Sequence, residues 1–306
     1  MSIKKIKEFI IFLKSTHAVQ RLLGKAYSYV VRWFYLLGFM RQRDSKREEA
    51  FIPSSTPIDI VIPVVEKDLE TLPYCLAGVK KNIKHPIGHI NLISPPSEKI
   101  KEFCKENGYR FFDENEALPI TKKDIPYVCN GKDRSGWLLQ TMLKWAEHVS
   151  SNEYYLVVDS DTVYIRPQVF LHGDKPVLIA SERYFPPYYL IIEKLLGIKK
   201  ERFLSFTAHQ MFYSKSKLKE LQEDMYKHTG LKWHEAIYKL SDKSQGSCYS
   251  GYEAYGTWLH NKYKDEIVVQ YWYNSSQRRK DLSRIDELAE EYSNKFRSLS
   301  FHEYLN

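Results

Sequence analysis

From residue 58 onward the hydrophobic positions alternate between short continuous runs and stretches at helical spacing. Ile58-Asp-Ile-Val-Ile-Pro63 is a short apolar run stopped by proline, the pattern of a buried strand. Residues 69–83 repeat at helical spacing, residues 89–94 predict a second strand, and residues 97–107 predict a helix ended by Gly108. A third strand follows over 109–112, then an irregular stretch over 113–130 and an amphipathic helix over 133–149. Residues 154–158, Tyr-Tyr-Leu-Val-Val, form a strand that runs directly into Asp159-Ser160-Asp161. Strands and helices taking turns in this order predict an α/β fold: a mostly parallel, Rossmann-like sheet flanked by helices. Ligands of such sheets bind beyond the carboxyl ends of the strands, where the acidic triplet falls.

Beyond the triplet the pattern loosens. Strands are expected near 177–180, 208–213 and 267–271, and helices near 188–196, 215–228, 252–263 and 282–296. No internal repeat and no low-complexity tract interrupts them.

Before residue 58 the pattern differs. Ile3, Ile6, Phe9, Ile10 and Leu13 recur at helical spacing with lysines between them, and residues 27–40 are denser in apolar and aromatic groups. A helix over 3–40, bent near Gly24, is expected. Lys25 and Arg32 break its apolar character short of the roughly 20 residues that a spanning helix needs. Charge gives this arm its meaning. Residues 1–43 carry nine Lys or Arg against the single Glu8, which is the whole formal excess of +8. The protein is therefore a neutral domain with a basic arm, not a nucleic-acid binder over its whole surface. An interfacial amphipathic anchor on an anionic membrane fits this composition, and so does a helix pair packed on the domain. The division expected is residues 1–50 as arm and linker and 51–306 as the catalytic domain. The proline-bearing stretch 51–57 still reads as linker, and the first strand begins at Ile58.

Four widely separated cysteines with no CxxC argue for reduced thiols in the cytosol and against a cysteine zinc site. No secretory signal is evident, so the expected location is cytoplasmic, peripheral on the inner face of the cell membrane.

Two carboxylates one residue apart at a strand end make a hard, oxygen-rich corner suited to Mg²⁺ or Mn²⁺, with substrate phosphates filling other positions on the ion. With the first strand and its Pro63, the helix Arg134-Ser-Gly-Trp-Leu-Leu-Gln140 and Val158-Asp-Ser-Asp-Thr162, the chain from about 58 to 304 resembles the GT-A class of nucleotide-sugar glycosyltransferases. The likeness is to the type that builds bacterial surface polysaccharide. It implies a metal-dependent, inverting transfer from a nucleotide-diphosphate sugar, a UDP-sugar first among them, to a hydroxyl acceptor, and the basic arm suggests that this acceptor is a membrane-associated glycan or is lipid-linked. It also implies roles. Asp159 would reach the ribose or metal, Asp161 would ligate the metal, and the late His302 would be a further ligand. Val65 and Glu66 would lie by the nucleobase and ribose. Arg134 would face the diphosphate, with Gln140 and Lys144 lining the donor pocket. His209 and Gln210 would meet the acceptor or donor sugar. Glu253, in Ser250-Gly-Tyr-Glu253, would be the general base, although an acid at a helix start is also favourable for dipole reasons alone.

Two other readings stay open. Asp159-Ser-Asp-Thr-Val163 also satisfies the strand-DxDx(T/V) start of haloacid-dehalogenase-like phosphatases, with Asp159 as nucleophile and Asp161 as acid/base. A non-catalytic, carbohydrate-binding GT-A relative is the other.

Overall fold

The structure is a computed structural model that describes residues 51–183, 185–199 and 205–303, together with 22–27, 29–30, 33–34 and 37. Of the helix expected over residues 3–40, positions 3–21, 28, 31–32, 35–36 and 38–40 lie outside the described residues, as does the charged run 41–49. The described arm positions are helical, and Tyr29, Val30, Trp33, Phe34 and Leu37 on them are exposed. Among the described residues no helix is long and apolar enough to cross a membrane.

In chain order the strands and helices are β1 (Ile58–Pro63), α1 (Leu72–Asn82), β2 (Ile87–Ser94), α2 (Glu98–Asn107), β3 (Arg110–Asp113), β4 (Val128–Cys129), β5 (Lys132–Asp133), α3 (Ser135–Leu143) and β6 (Tyr154–Val158). After the acidic corner come β7 (Thr162–Tyr164), β8 (Leu171–His172), β9 (Lys175–Ala180), α4 (Pro186–Leu196), β10 (Gln210–Ser214), α5 (Lys215–Thr229) and α6 (Trp233–Leu240). The chain closes with α7 (Gly251–Tyr263), β11 (Val268–Tyr271), β12 (Asn274–Arg278), α8 (Ile285–Tyr292) and β13 (Ser298–His302).

The central sheet has the order β10-β6-β1-β2-β3, with β6, β1, β2 and β3 parallel and β10 antiparallel on the edge. Every residue of β1 is buried, as expected of a strand covered on both faces. One face carries Val61, Tyr155 and Val157 against Leu138, Leu139 and Met142 of α3 and Leu218 and Leu221 of α5. The other carries Ile60, Ile62, Leu156 and Val158 against Leu72, Leu76 and Val79 of α1 and Ile100 of α2. The fold is thus mixed α/β with a parallel-rich central sheet and helices on both faces. Two small sheets, β11-β9-β8 and β12-β13-β7, flank it.

Several expectations need correction. The helix expected to run to residue 149 stops at Leu143, and a separate 3-10 turn covers Glu147–Val149. The chain leaves the helix there to bury Trp145, whose indole donates to the Tyr213 hydroxyl at 3.2 Å and packs on Trp233 and Tyr249. The stretch read as irregular ends in the hairpin β4–β5, turned by Asn130 (φ 51°) and Gly131 (φ 73°). Both residues take the positive φ that a two-residue hairpin turn of this hand requires. Residues 51–54 do not act as a linker. Ile52 N–H donates to His172 Nδ1 at 2.9 Å and Ser54 N–H to the Leu171 carbonyl at 3.0 Å, strapping the segment to β8.

Candidate functional site

The parallel strands deliver their carboxyl ends to one edge of the sheet, and β10, running the other way, begins there. Asp159-Ser160-Asp161 turns the chain from β6 into β7 at this edge. The corner is fixed by its backbone: Asp159 N–H donates to the His209 carbonyl at 2.9 Å, and Thr162 N–H donates to the Asp159 carbonyl at 3.0 Å. Strand β13 pairs antiparallel with β7, and Phe301 N–H donates to the Asp161 carbonyl at 2.8 Å. That pairing carries His302 to the corner, where its Nδ1 lies 3.0 Å from Asp161 Oδ2.

Asp159 is held differently. Its Oδ1 accepts from Lys144 Nζ at 2.7 Å and from the Tyr252 hydroxyl at 2.7 Å. Lys144 follows the last residue of α3, where a cation also suits the helix dipole, and its ammonium lies 4.1 Å from the centre of the Tyr252 ring. Burial alone would raise the Asp159 carboxyl. The Lys144 charge, the neighbouring His209 and the two hydrogen bonds outweigh it and hold the group below the ordinary carboxylate range. Both aspartates keep an open side, with side-chain exposures of 29% for Asp159 and 23% for Asp161.

His209 sits in the left-handed region at φ 54°, which few non-glycine residues adopt, histidine more readily than most. Its ring packs edge-on to Trp272 at 4.7 Å and to His302 at 5.0 Å. Burial pushes its imidazole down to about 4, against the pull of Asp159 and Asp161, so the ring is neutral at pH 7. Its Nδ1 lies 3.0 Å from Ser300 Oγ, a hydroxyl that also meets Asn274 Oδ1 and Thr162 Oγ1, each at 3.1 Å.

The remaining expected residues are less close-knit. Val65 and Glu66 follow β1 at the same edge, but the Glu66 carboxylate already accepts from Ser97 Oγ at 2.7 Å and Lys99 Nζ at 3.1 Å. Gln140 stands one turn before Lys144 on α3, half-buried. Arg134 donates from Nε to the Gly246 carbonyl at 3.0 Å and lies over the Trp137 ring, so its guanidinium is committed to a loop instead of to the acidic corner. Gln210 is buried and accepts from the Tyr164 hydroxyl at 3.2 Å, inside the fold instead of facing an acceptor.

Glu253 is the clearest departure. It is 0% exposed, and its Oε2 accepts from Ser205 Oγ (2.6 Å), Phe206 N–H (3.0 Å) and Thr207 Oγ1 (3.2 Å), while Oε1 accepts from Thr257 Oγ1 (3.3 Å). It ties the 205–207 segment to α7. Gly256, one turn on, permits the close approach, because a Cβ there would stand 2.3 Å from Phe206 Cγ. A general base has to touch the acceptor hydroxyl, and a carboxylate sealed on both oxygens does not.

Tyr252, Asn274, Ser300 and Trp272 were not anticipated from the sequence. Tyr252 had a signal, since it adjoins Glu253 in the same glycine-led helix start. Trp272 lies between β11 and β12, Asn274 opens β12 and Ser300 sits on β13, all late in the chain.

The donor set at the corner suits a divalent ion. Two ligands at right angles on an ion with bonds of about 2.1 Å stand about 3 Å apart, the separation found between Asp161 Oδ2 and His302 Nδ1. Asp159 offers its second oxygen on the same turn. Among the described residues no group of three or more His, Cys, Asp or Glu side chains is gathered as a metal cage. Such a partial set suits an ion that shares its coordination with a substrate.

A family model matches residues 55–303, and the chain belongs to that family, a family of unknown function (DUF6492). No curated protein matches the chain by sequence. Among solved structures, an active-site mutant of LgtC is 14% identical over 80% of this chain and 87% of its own, with a TM-score of 0.43. The galactosyltransferase LgtC with donor and acceptor sugar analogues is 15% identical over the same shares, with a TM-score of 0.41. Glucosyl-3-phosphoglycerate synthase from Mycobacterium tuberculosis is 15% identical over 35% of this chain and 34% of its own, with a TM-score of 0.24.

Proposed function

We propose that this member of the family is a GT-A-like, divalent-metal-dependent glycosyltransferase that moves a sugar from a nucleoside-diphosphate sugar to a hydroxyl acceptor. The observation that carries the reading is the Asp159–Asp161 corner between β6 and β7, at the carboxyl edge of a parallel sheet, with His302 of β13 brought against Asp161. Asp161, His302 and the second oxygen of Asp159 would hold Mn²⁺ or Mg²⁺. Such an ion supplies charge neutralisation of a departing diphosphate. The chain's own residues do the rest. Lys144 places a second cation beside the same corner, Gln140 lines the approach along α3, and the neutral His209 ring offers a hydrogen-bonding partner for a sugar hydroxyl. With Glu253 sealed in its clamp, inversion of configuration loses the residue on which it was expected, and the proposal leaves it out.

The arm completes the proposal. Exposed Tyr29, Trp33, Phe34 and Leu37 beside the basic residues of 1–43 would rest on an anionic membrane and bring a lipid-linked or glycan acceptor of a surface polysaccharide within reach. On this reading the enzyme would work on the cytoplasmic face of the membrane.

Calorimetric titration of UDP, GDP and CMP, with and without Mn²⁺, tests the donor class on the wild type and on Asp161→Ala. Metal-dependent binding of one nucleotide, lost in the variant, is expected. No binding of any of the three sinks the reading. For the arm, co-sedimentation with phosphatidylserine vesicles should be lost in a chain starting at Ser54. Equal sedimentation of both chains would remove the membrane from the proposal.

A further inference from the structure

Lys144 is an odd neighbour for a metal site, because it offers Asp159 the positive charge that a metal would bring. Its ammonium lies 2.7 Å from Asp159 Oδ1, and the same oxygen takes the Tyr252 hydroxyl at 2.7 Å. Lys144 is 9% exposed, so water does little to screen this pair. A divalent ion approaching Asp159 and Asp161 therefore meets a carboxylate already neutralised, and it meets like charge within a few ångströms.

We propose that Lys144 makes divalent-ion binding at Asp159 and Asp161 contingent on a diphosphate. With the ammonium on Asp159 the corner keeps one net negative charge from its two carboxylates, too little to hold a bare ion firmly. A diphosphate changes the balance. Its oxygens ligate the ion and give the Lys144 ammonium a second anionic partner, so lysine and metal cease to compete and both face the phosphates. Ion and nucleotide then enter together, and the empty site does not collect metal. This rests on the nucleotide-sugar reading of the site and adds an order of binding to it.

A positioning role of this kind predicts opposite signs for two affinities, which a merely structural lysine does not. Mn²⁺ binding is measured by electron paramagnetic resonance, alone and with UDP, on wild type, Lys144→Met, Lys144→Arg and Lys144→Met/Asp159→Asn. Melting curves confirm that each variant is folded. In wild type, UDP should tighten Mn²⁺ at least tenfold. In Lys144→Met, Mn²⁺ alone should bind about tenfold tighter than in wild type, while UDP in the presence of Mn²⁺ binds about tenfold more weakly. Lys144→Arg keeps the charge and should keep the wild-type dependence. Adding Asp159→Asn should cancel the gain in bare-ion affinity. If Lys144→Met leaves the affinity for Mn²⁺ alone within twofold of wild type, the proposal is overturned, and the donor reading stands on the wild-type UDP result. If UDP, GDP and CMP all fail to tighten Mn²⁺ in wild type, the donor reading fails and takes this proposal with it. Should Lys144→Met not fold, Lys144→Arg and Tyr252→Phe still decide: loss of the UDP dependence in the arginine variant counts against it. Tightening of bare Mn²⁺ in Tyr252→Phe as large as tenfold would assign the effect to the phenol and overturn the role of Lys144.

Discussion

Asp159 and Glu253 are both carboxylates next to a structural junction, one leaving a strand and one opening a helix, and both read as chemical groups in the sequence. Their surroundings differ. Asp159 is held by a cation and a phenol on one oxygen and keeps nearly a third of its side chain open. Glu253 has no open surface and accepts from hydroxyls and a backbone N–H across its two oxygens. A fully buried carboxylate with donors on both oxygens is a fastener, fixed and shielded. One paired to a lysine and left partly open can exchange partners. The comparison teaches that an acid at a helix start says little about chemistry until its second oxygen is accounted for.

The largest effect should come from breaking the fastener. Glu253→Ala strands the donors of Ser205, Phe206 and Thr207 in the interior, and leaving several buried polar groups unpaired costs about 3–5 kcal/mol in all. Thermal unfolding should shift by many degrees. Activity should fall only in step with the folded fraction, as read at a temperature below the variant's melt. If Glu253→Gln melts like wild type yet loses turnover a hundredfold or more, the contrast collapses and Glu253 is a catalyst after all.

Next comes Asp161→Asn, which should abolish metal-dependent nucleotide binding while moving the melting temperature by a few degrees at most. The Asp161 side chain is partly exposed and its side-chain contact among the described residues is with His302, so little stability rides on it. A large loss of stability with binding intact would reverse the roles given to the two acids.

Both acids were visible in the sequence; their surroundings were not. The legible parts were those with strong local signals. Among them are the all-apolar β1, helix α2 between the Ser97 cap and left-handed Gly108, and β6 running into the triplet. The parts that could not be read were long-range. The strand Asn274–Arg278 is polar throughout, and Ser298–His302 looks like a tail until β7 pairs with it. Without that pairing nothing in the spacing brings His302 to Asp161, 141 positions away. The hairpin at Asn130-Gly131 was the opposite case, a local turn signal present and passed over. Helix α6 was passed over too, because eight residues between two turns are too few for a firm period.

Another buried carboxylate sharpens the comparison by pH. Asp59 is buried in β1 and accepts from Ser150 Oγ, Ser151 N–H, Asn152 Nδ2 and His89 N–H. Burial would raise its carboxyl, but these bonds outweigh it and hold the group below its ordinary value. A depressed carboxylate contributes stability that is present above its unfolded value of 3.8 and lost as pH falls through the lower folded value. Acid unfolding of the wild type should therefore steepen below about pH 4, and Asp59→Asn should be less stable at pH 7 with a flatter acid limb. An unchanged limb in the variant would show that Asp59 is not among the groups that take up protons on unfolding.

The smallest effect is expected at Arg134. The sequence placed it on the diphosphate, whereas its Nε is bonded to the Gly246 carbonyl and its guanidinium covers Trp137. A half-exposed arginine in such a setting contributes about 0.5–1 kcal/mol, so Arg134→Ala should weaken UDP–Mn²⁺ binding by less than about fivefold. Lys144→Met should weaken it more, since Lys144 stands on the acidic corner itself. Should the order be reversed, with Arg134→Ala costing a hundredfold, the guanidinium must leave Gly246 when donor binds. The reactive region would then extend along α3 from Lys144 to its first turn, and the boundary between exchangeable and fixed contacts would have to be redrawn around the 242–248 loop.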